Sequence, residues 1–168
     1  MMKKYMIEYG LWTGLVLICF AIMLFLLDAH YENSSSTQII NALIQISGIT
    51  LACIAFKKHN DSLISWAQVR KIGTGISLVV SLIAISYTLL LTNIIEPDYM
   101  DKALEISYYQ TAENYPEALA NMNLNEYVEA AKPYTWLTYP SILFFTIVFG
   151  FIYSVILGLL IKTKKSRV

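Results

Sequence analysis

Four stretches of this chain, 10–27, 38–56, 72–95 and 140–161, contain no charged side chain at all. A bilayer core about 30 Å thick needs about 20 apolar residues in a helix to cross it. Backbone polar groups inside lipid must be satisfied within the segment, which leaves helices or closed barrels. Runs of this length therefore predict an all-α, polytopic membrane protein with four transmembrane helices. The composition agrees, since 57% hydrophobic and 14% charged residues is too apolar for an ordinary water-soluble domain. The second run is the most polar of the four and carries Asn41, Gln45, Ser47 and Thr50. The whole chain, 1–168, is expected to form a single membrane domain.

The formal net charge is zero, so nothing in the total points to nucleic acid. Its distribution is asymmetric. Ten of the twelve basic residues, Lys3, Lys4, Lys57, Lys58, Arg70, Lys71, Lys162, Lys164, Lys165 and Arg167, lie at the two termini and in the second connection. The first and third connections hold only Lys102 and Lys132, together with ten of the twelve acidic residues. Cytoplasmic loops are enriched in Lys and Arg, so both termini are expected in the cytoplasm and 96–139 outside it. Trp12 and Trp66 near the basic face and Trp136 near the acidic one suit headgroup depth, where indoles concentrate. The first run is long for a signal peptide and no small-x-small cleavage site precedes Asp28, so the first helix is expected to be retained.

The connections differ in length. The first contains an N-S-S triplet at Asn33, a frequent chance match to a glycosylation acceptor. In the second, Ser65 and Gln68 have capping-box spacing for a helix leading into the third span. Leu63, Ile64 and Trp66 are placed to lie along the membrane surface. The third, 96–139, predicts two helices. Pro97 suits a first turn, Met100, Ala103, Leu104, Ser107 and Tyr108 recur on one face, and the chain breaks near Tyr115 and Pro116. Leu124, Tyr127, Val128 and Ala131 mark the second helix, which Pro133 stops.

Candidate chemistry is sparse. Gly73, Thr74 and Gly75 match part of a dinucleotide-binding pattern, but Leu78 occupies the third glycine position and no strand precedes it. Cys19 and Cys53 lack metal or redox spacing and differ in depth by about 9 Å, too far for a disulfide. His30 and His59 fall on opposite sides of the membrane. Glu96, Asp98, Asp101 and Glu105 supply oxygens of the kind a hard cation prefers, without the spacing of a calcium loop. Carboxylates at a helix start also complement its dipole. No catalytic residue, cofactor or metal ligand is assigned.

Asn41 and Gln45 stand four residues apart on one face and could line a polar path or bond neighbouring helices. The spans carry no Asp, Glu, Lys, Arg or His, the groups on which proton-coupled transport usually depends. Small residues recur at close-packing spacing: Gly10 and Gly14, Gly48 and Ala52, Gly73, Ser77 and Ser81, and Gly150, Ser154 and Gly158. Packing within the chain is their default use. The fourth run, with the longest such ridge, is the best placed for an interface with another subunit.

Several segments in order resemble the bacterial membrane proteins grouped as domain of unknown function 4199. Lys3, Lys4 and Tyr5 leading to Tyr9, Gly10 and Leu11 are similar to the family's opening. Ile64, Ser65, Trp66, Ala67, Gln68 and Val69 match its inner I-S-[FW]-x-x-[AV] element, and Ile95, Glu96, Pro97, Asp98 and Tyr99 resemble its N-P-D-F/Y. The fourth span after Pro140 and the basic tail Lys162 to Lys165 complete the likeness. Asn60, Asp61 and Ser62 stand where the family usually has Gly-Gly. The resemblance implies a Gram-negative inner membrane and supplies no activity. The expected function is therefore non-enzymatic, through helix-helix association or scaffolding with other membrane proteins or a second copy in the lipid bilayer. A transporter or channel subunit using the polar face of the second helix is the alternative.

Overall fold

Each uncharged run lies inside a longer α-helix. The computed structural model describes residues 2–31, 34–119 and 122–163. Asn33 of the N-S-S triplet and the basic Lys164, Lys165 and Arg167 lie outside the described residues. The α-helices are α1 (Met2–Leu26), α2 (Ser35–His59), α3 (Trp66–Leu90), α4 (Tyr99–Asn114), α5 (Leu124–Ala131) and α6 (Thr138–Ile161). Among the described residues there is no strand. Four helical stretches are long and apolar enough to cross a bilayer, so this is a multi-pass membrane protein.

The charged flanks are themselves helical. Lys3, Lys4 and Glu8 belong to α1, Lys57 and Lys58 close α2, and Arg70 and Lys71 open α3. Lys, Arg and Glu are good helix formers, so an apolar span need not end where its lipid-compatible part ends.

The chain groups into two units, Met1–Ile85 with Ile142–Val168, and Ser86–Ser141. In the first unit the helices are packed by small and uncharged polar residues. Gly10, Thr13 and Gly14 are the buried residues of α1. Gly10 accepts Val79, Gly14 accepts Ile83, and Gly48 receives the Thr13 hydroxyl. Ile49, Ala52, Cys53, Val69, Ile72 and Ile76 fill the centre with no exposed surface. Large apolar side chains are displayed outward, including Leu26 at 74% exposure and Leu160 at 76%. Apolar side chains displayed in this way suit a hydrocarbon solvent, because lipid tails are as apolar as Leu and close approach between helices comes from small residues. Cys19 is exposed, Cys53 is buried, and both are free thiols.

The α2–α3 elbow is a tight turn joined to the end of α6. Asp61 and Ser62 take left-handed φ values of 50° and 59°. Two consecutive left-handed residues are what a Gly-Gly pair accommodates most readily, since a Cβ costs about 1–2 kcal/mol there. Asn60 supports the turn by donating from Nδ2 to Leu63 O at 2.7 Å. The capping box at Ser65 is complete: Ser65 N donates to Gln68 Oε1 at 2.7 Å and Gln68 N to Ser65 Oγ at 3.3 Å. Thr163, just past α6, donates its hydroxyl to Ser62 O, accepts from Ile64 N, and donates its own amide to Ile64 O. Lys57 Nζ donates to Ile161 O at 3.0 Å, satisfying a terminal carbonyl of α6. Of the three apolar elbow residues, Leu63 is exposed while the other two turn inward. Ile64 is buried and Trp66 turns into a notch at Gly158, because a residue without a side chain there leaves room for an indole. Asp61→Gly and Ser62→Gly are each expected to stabilise the detergent-solubilised protein by about 0.5–1 kcal/mol, read as a higher thermal midpoint.

The second unit begins in the last turn of α3, which changes pitch. Leu91–Ile95 forms a π-turn, with Glu96 N bonded to Leu91 O at 2.8 Å. Thr92 Oγ1 donates to Thr88 O and Asn93 Nδ2 to Leu89 O, so two side chains compete for carbonyls of the preceding turn. Pro97 lies in the tight turn before α4 rather than inside it, with Tyr99 N bonded to Glu96 O. α4 stops at Tyr115, ahead of a 3₁₀ turn over Pro116–Leu119. Asn123 and Glu126 close a reciprocal capping box at the start of α5. α4 and α5 pack through Ser107 and Tyr127, whose hydroxyls are 3.1 Å apart, and through the edge contact of Tyr108 with Tyr127. Pro133 ends the α-helical pitch without ending the helical run. Lys132–Leu137 continues as 3₁₀ into Thr138, since a proline near a helix start lacks only a donor that would be unused.

Candidate functional site

Five of the residues singled out from sequence meet in the interior of the first unit. Gln45 of α2 is buried, and its Nε2 donates to Ser77 Oγ at 3.0 Å and to Thr146 O at 3.1 Å. Ser77 in turn donates to Gly73 O at 2.9 Å, so its single proton is committed to its own helix and its lone pair to the amide. Gly150 admits this arrangement, because a Cβ there would collide with Ser77 Oγ and crowd Gln45 Nε2. One turn along, the relation is reversed. A Cβ at Gly73 would collide with Ser154 Oγ, and Ser154 donates to Gly150 O. Two Gly-x-x-x-Ser segments on antiparallel α3 and α6 thus interlock, each serine filling the other helix's glycine gap.

Gly158 continues the stripe. A Cβ there would come within 2.6 Å of Trp66 Cδ1, and the indole Nε1–H donates to Val155 O at 3.2 Å. The ridge of α6 is thereby occupied inside the chain. Asn41 does not join the cluster: it is exposed on α2, one turn from Gln45. Asn93 is also exposed and bonds within its own helix.

Spacing alone did not point to two further contacts. Thr50 Oγ1 donates to Ile46 O and stands 2.6 Å from Tyr153 Oη, which makes the phenol the donor to Thr50. Thr13 donates to Tyr9 O at 2.6 Å while filling the gap at Gly48. A hydroxyl three or four residues after a carbonyl is common in any helix, so neither pattern names its partner.

Among the described residues, the buried polar side chains are Thr13, Gln45, Ser77, Ser81 and Ser154. Ser77, Ser81 and Ser154 each donate to a main-chain carbonyl of their own helix rather than to a base. Gln45→Leu is expected to cost about 0.6 kcal/mol, the average for such a bond between membrane helices, measured by unfolding in mixed micelles.

In the second unit the acidic cluster is partly neutralised by the region's two lysines. Lys102 Nζ is 2.6 Å from Glu96 and Lys132 Nζ 2.9 Å from Asp101. The hydrogen bond to Glu96 holds the Lys102 ammonium above its ordinary pKa. Burial, with smaller contributions from Tyr87 and Glu96, raises the phenol of Tyr99. Among the described residues, no group of three or more His, Cys, Asp or Glu is placed to hold a metal ion.

No curated protein and no solved structure matches the chain. One family model does, that described as "Protein of unknown function (DUF4199)", and it covers residues 8–163, from the first turns of α1 to the threonine that joins α6 to the elbow. A match of that extent makes this chain, with its four membrane-spanning helices, a member of the DUF4199 family.

Proposed function

We propose that this protein is a non-enzymatic component of a bacterial cytoplasmic (inner) membrane, acting by association with other membrane proteins or with a second copy of itself. Both termini lie in the cytoplasm in this reading and 96–139 lies outside, as the concentration of Lys and Arg in the termini and second connection implies. The observation that favours this reading over a conduit is the interlocked interior. Gln45 donates both of its amide hydrogens and Ser77 and Ser154 fill the glycine gaps, so these side chains act as fasteners between helices. A conduit would need such groups free to exchange partners with a passing solute. Since Gly150, Ser154 and Gly158 are already occupied, association falls to other surfaces of the chain.

Crosslinking in intact membranes, followed by purification in mild detergent, tests this. A discrete product containing a second copy or another membrane protein is expected. A strictly monomeric, partnerless chain would overturn it, as would solute flux in proteoliposomes that Gln45→Leu abolishes.

A further inference from the structure

Among the described residues, Arg70 combines a charge with a buried nitrogen that has no partner. It stands on α3 one turn after Trp66, with its guanidinium carbon 3.8 Å from the centre of the indole ring. The ring is held from its other contacts by the notch at Gly158 and the bond to Val155 O, so the cation rests on a fixed aromatic surface. Its Nε is buried and has no hydrogen-bond partner. A guanidinium carries five donors and no acceptor, so an unpaired N–H near hydrocarbon requires an acceptor. Arg70 and Lys71 immediately precede the uncharged run of the third span, which places Arg70 at the boundary between apolar core and headgroups.

Among the described residues, no carboxylate forms an ion pair with Arg70. The described basic residues at this end of the four-helix unit are Lys3, Lys4, Lys57, Lys58, Arg70, Lys71 and Lys162, while the acidic ones are Glu8 and Asp61. Lys57 is engaged with Ile161 O. Lys162, just past α6, is exposed and donates its backbone amide to Gly158 O at 3.2 Å.

We propose that Arg70, seated on Trp66, binds the phosphate of an anionic membrane phospholipid. The planar fork of Arg matches two phosphate oxygens, and the indole places it at headgroup depth. The surplus of surrounding cations selects a lipid with net negative charge over a zwitterionic one that carries the same phosphodiester. This inference does not depend on the associative role proposed above, and the two fail separately: lipid selectivity is read on the purified chain without any partner.

The test uses the full chain in dodecyl maltoside, titrated with short-chain phosphatidylglycerol, phosphatidylcholine or inorganic phosphate and followed by thermal unfolding. Phosphatidylglycerol is expected to raise the midpoint at lower concentration than phosphatidylcholine, and inorganic phosphate to leave it unmoved. Arg70→Gln is expected to weaken the phosphatidylglycerol response about tenfold, and Lys71→Gln, a quarter-turn away, by less than about threefold. Should Arg70→Gln not fold, Arg70→Lys keeps the charge and loses the fork, and an intermediate loss is expected. In a Trp12→Phe, Trp136→Phe background, the remaining Trp66 emission should shift on adding phosphatidylglycerol. Equal losses in the Arg70 and Lys71 variants, an undiminished response in Arg70→Lys, no preference between the two lipids, or an equal response to inorganic phosphate would each overturn the site.

Discussion

Gly73→Ala is expected to lower stability by about 1–3 kcal/mol in mixed-micelle unfolding, the range for overpacking a filled interior. The sign is informative, because helix propensity alone favours Ala over Gly by about 1 kcal/mol. A net loss therefore isolates the collision with Ser154 Oγ. Gly75 is the control: a Cβ there meets the flexible Met6 side chain, so Gly75→Ala is expected to be neutral or stabilising. Because Ser154 fills the gap at Gly73, Ser154→Gly should relieve part of the Gly73→Ala loss, with a coupling of at least about 0.5 kcal/mol in a double-mutant cycle. A Gly73→Ala protein as stable as the parent, or additive effects across the pair, would remove the interlock as the basis of α3–α6 packing.

Thr163→Val is expected to cost about 1–3 kcal/mol by a different route. The variant keeps the shape of the side chain and the backbone bond to Ile64 O, but deprives Ile64 N of its acceptor and Ser62 O of its donor. Ile64 is 2% exposed, so water cannot replace the lost bond, and an unsatisfied buried amide carries its full desolvation cost. Thr163→Ser retains the hydroxyl and is expected to stay near the parent. Faster hydrogen exchange at the Ile64 amide in the valine variant alone would locate the effect. Equal stability of the two variants would show that the end of α6 is not fastened through this residue.

Some of this was legible in the residues. The two ends of the elbow illustrate the difference. Ser65 and Gln68 could be identified as a capping box because the bonds connect residues three apart, and a local pattern needs no knowledge of the rest of the chain. The inward turn of Ile64 and Trp66 was not legible there, because their partners are Thr163 and Gly158, about a hundred residues away. In the same way, Gly73, Ser77, Gly150 and Ser154 stood out as small residues at four-residue spacing, yet several stripes offered the same pattern and any two could have met. Asn41 and Gln45 share a helix face by spacing, and only the neighbouring helices decide that Gln45 is enclosed while Asn41 is not.

The number of spans, their helical state and the helical character of 96–139 follow from the sequence by itself, because lipid tests each run of about 20 residues for charge and backbone satisfaction one run at a time. Which glycine accepts which serine, and that the ridge of α6 is occupied from within, was decided only by the tertiary structure. In hydrocarbon all these apolar faces are nearly equivalent, so partners are chosen by the fit of side chains across helices distant in sequence.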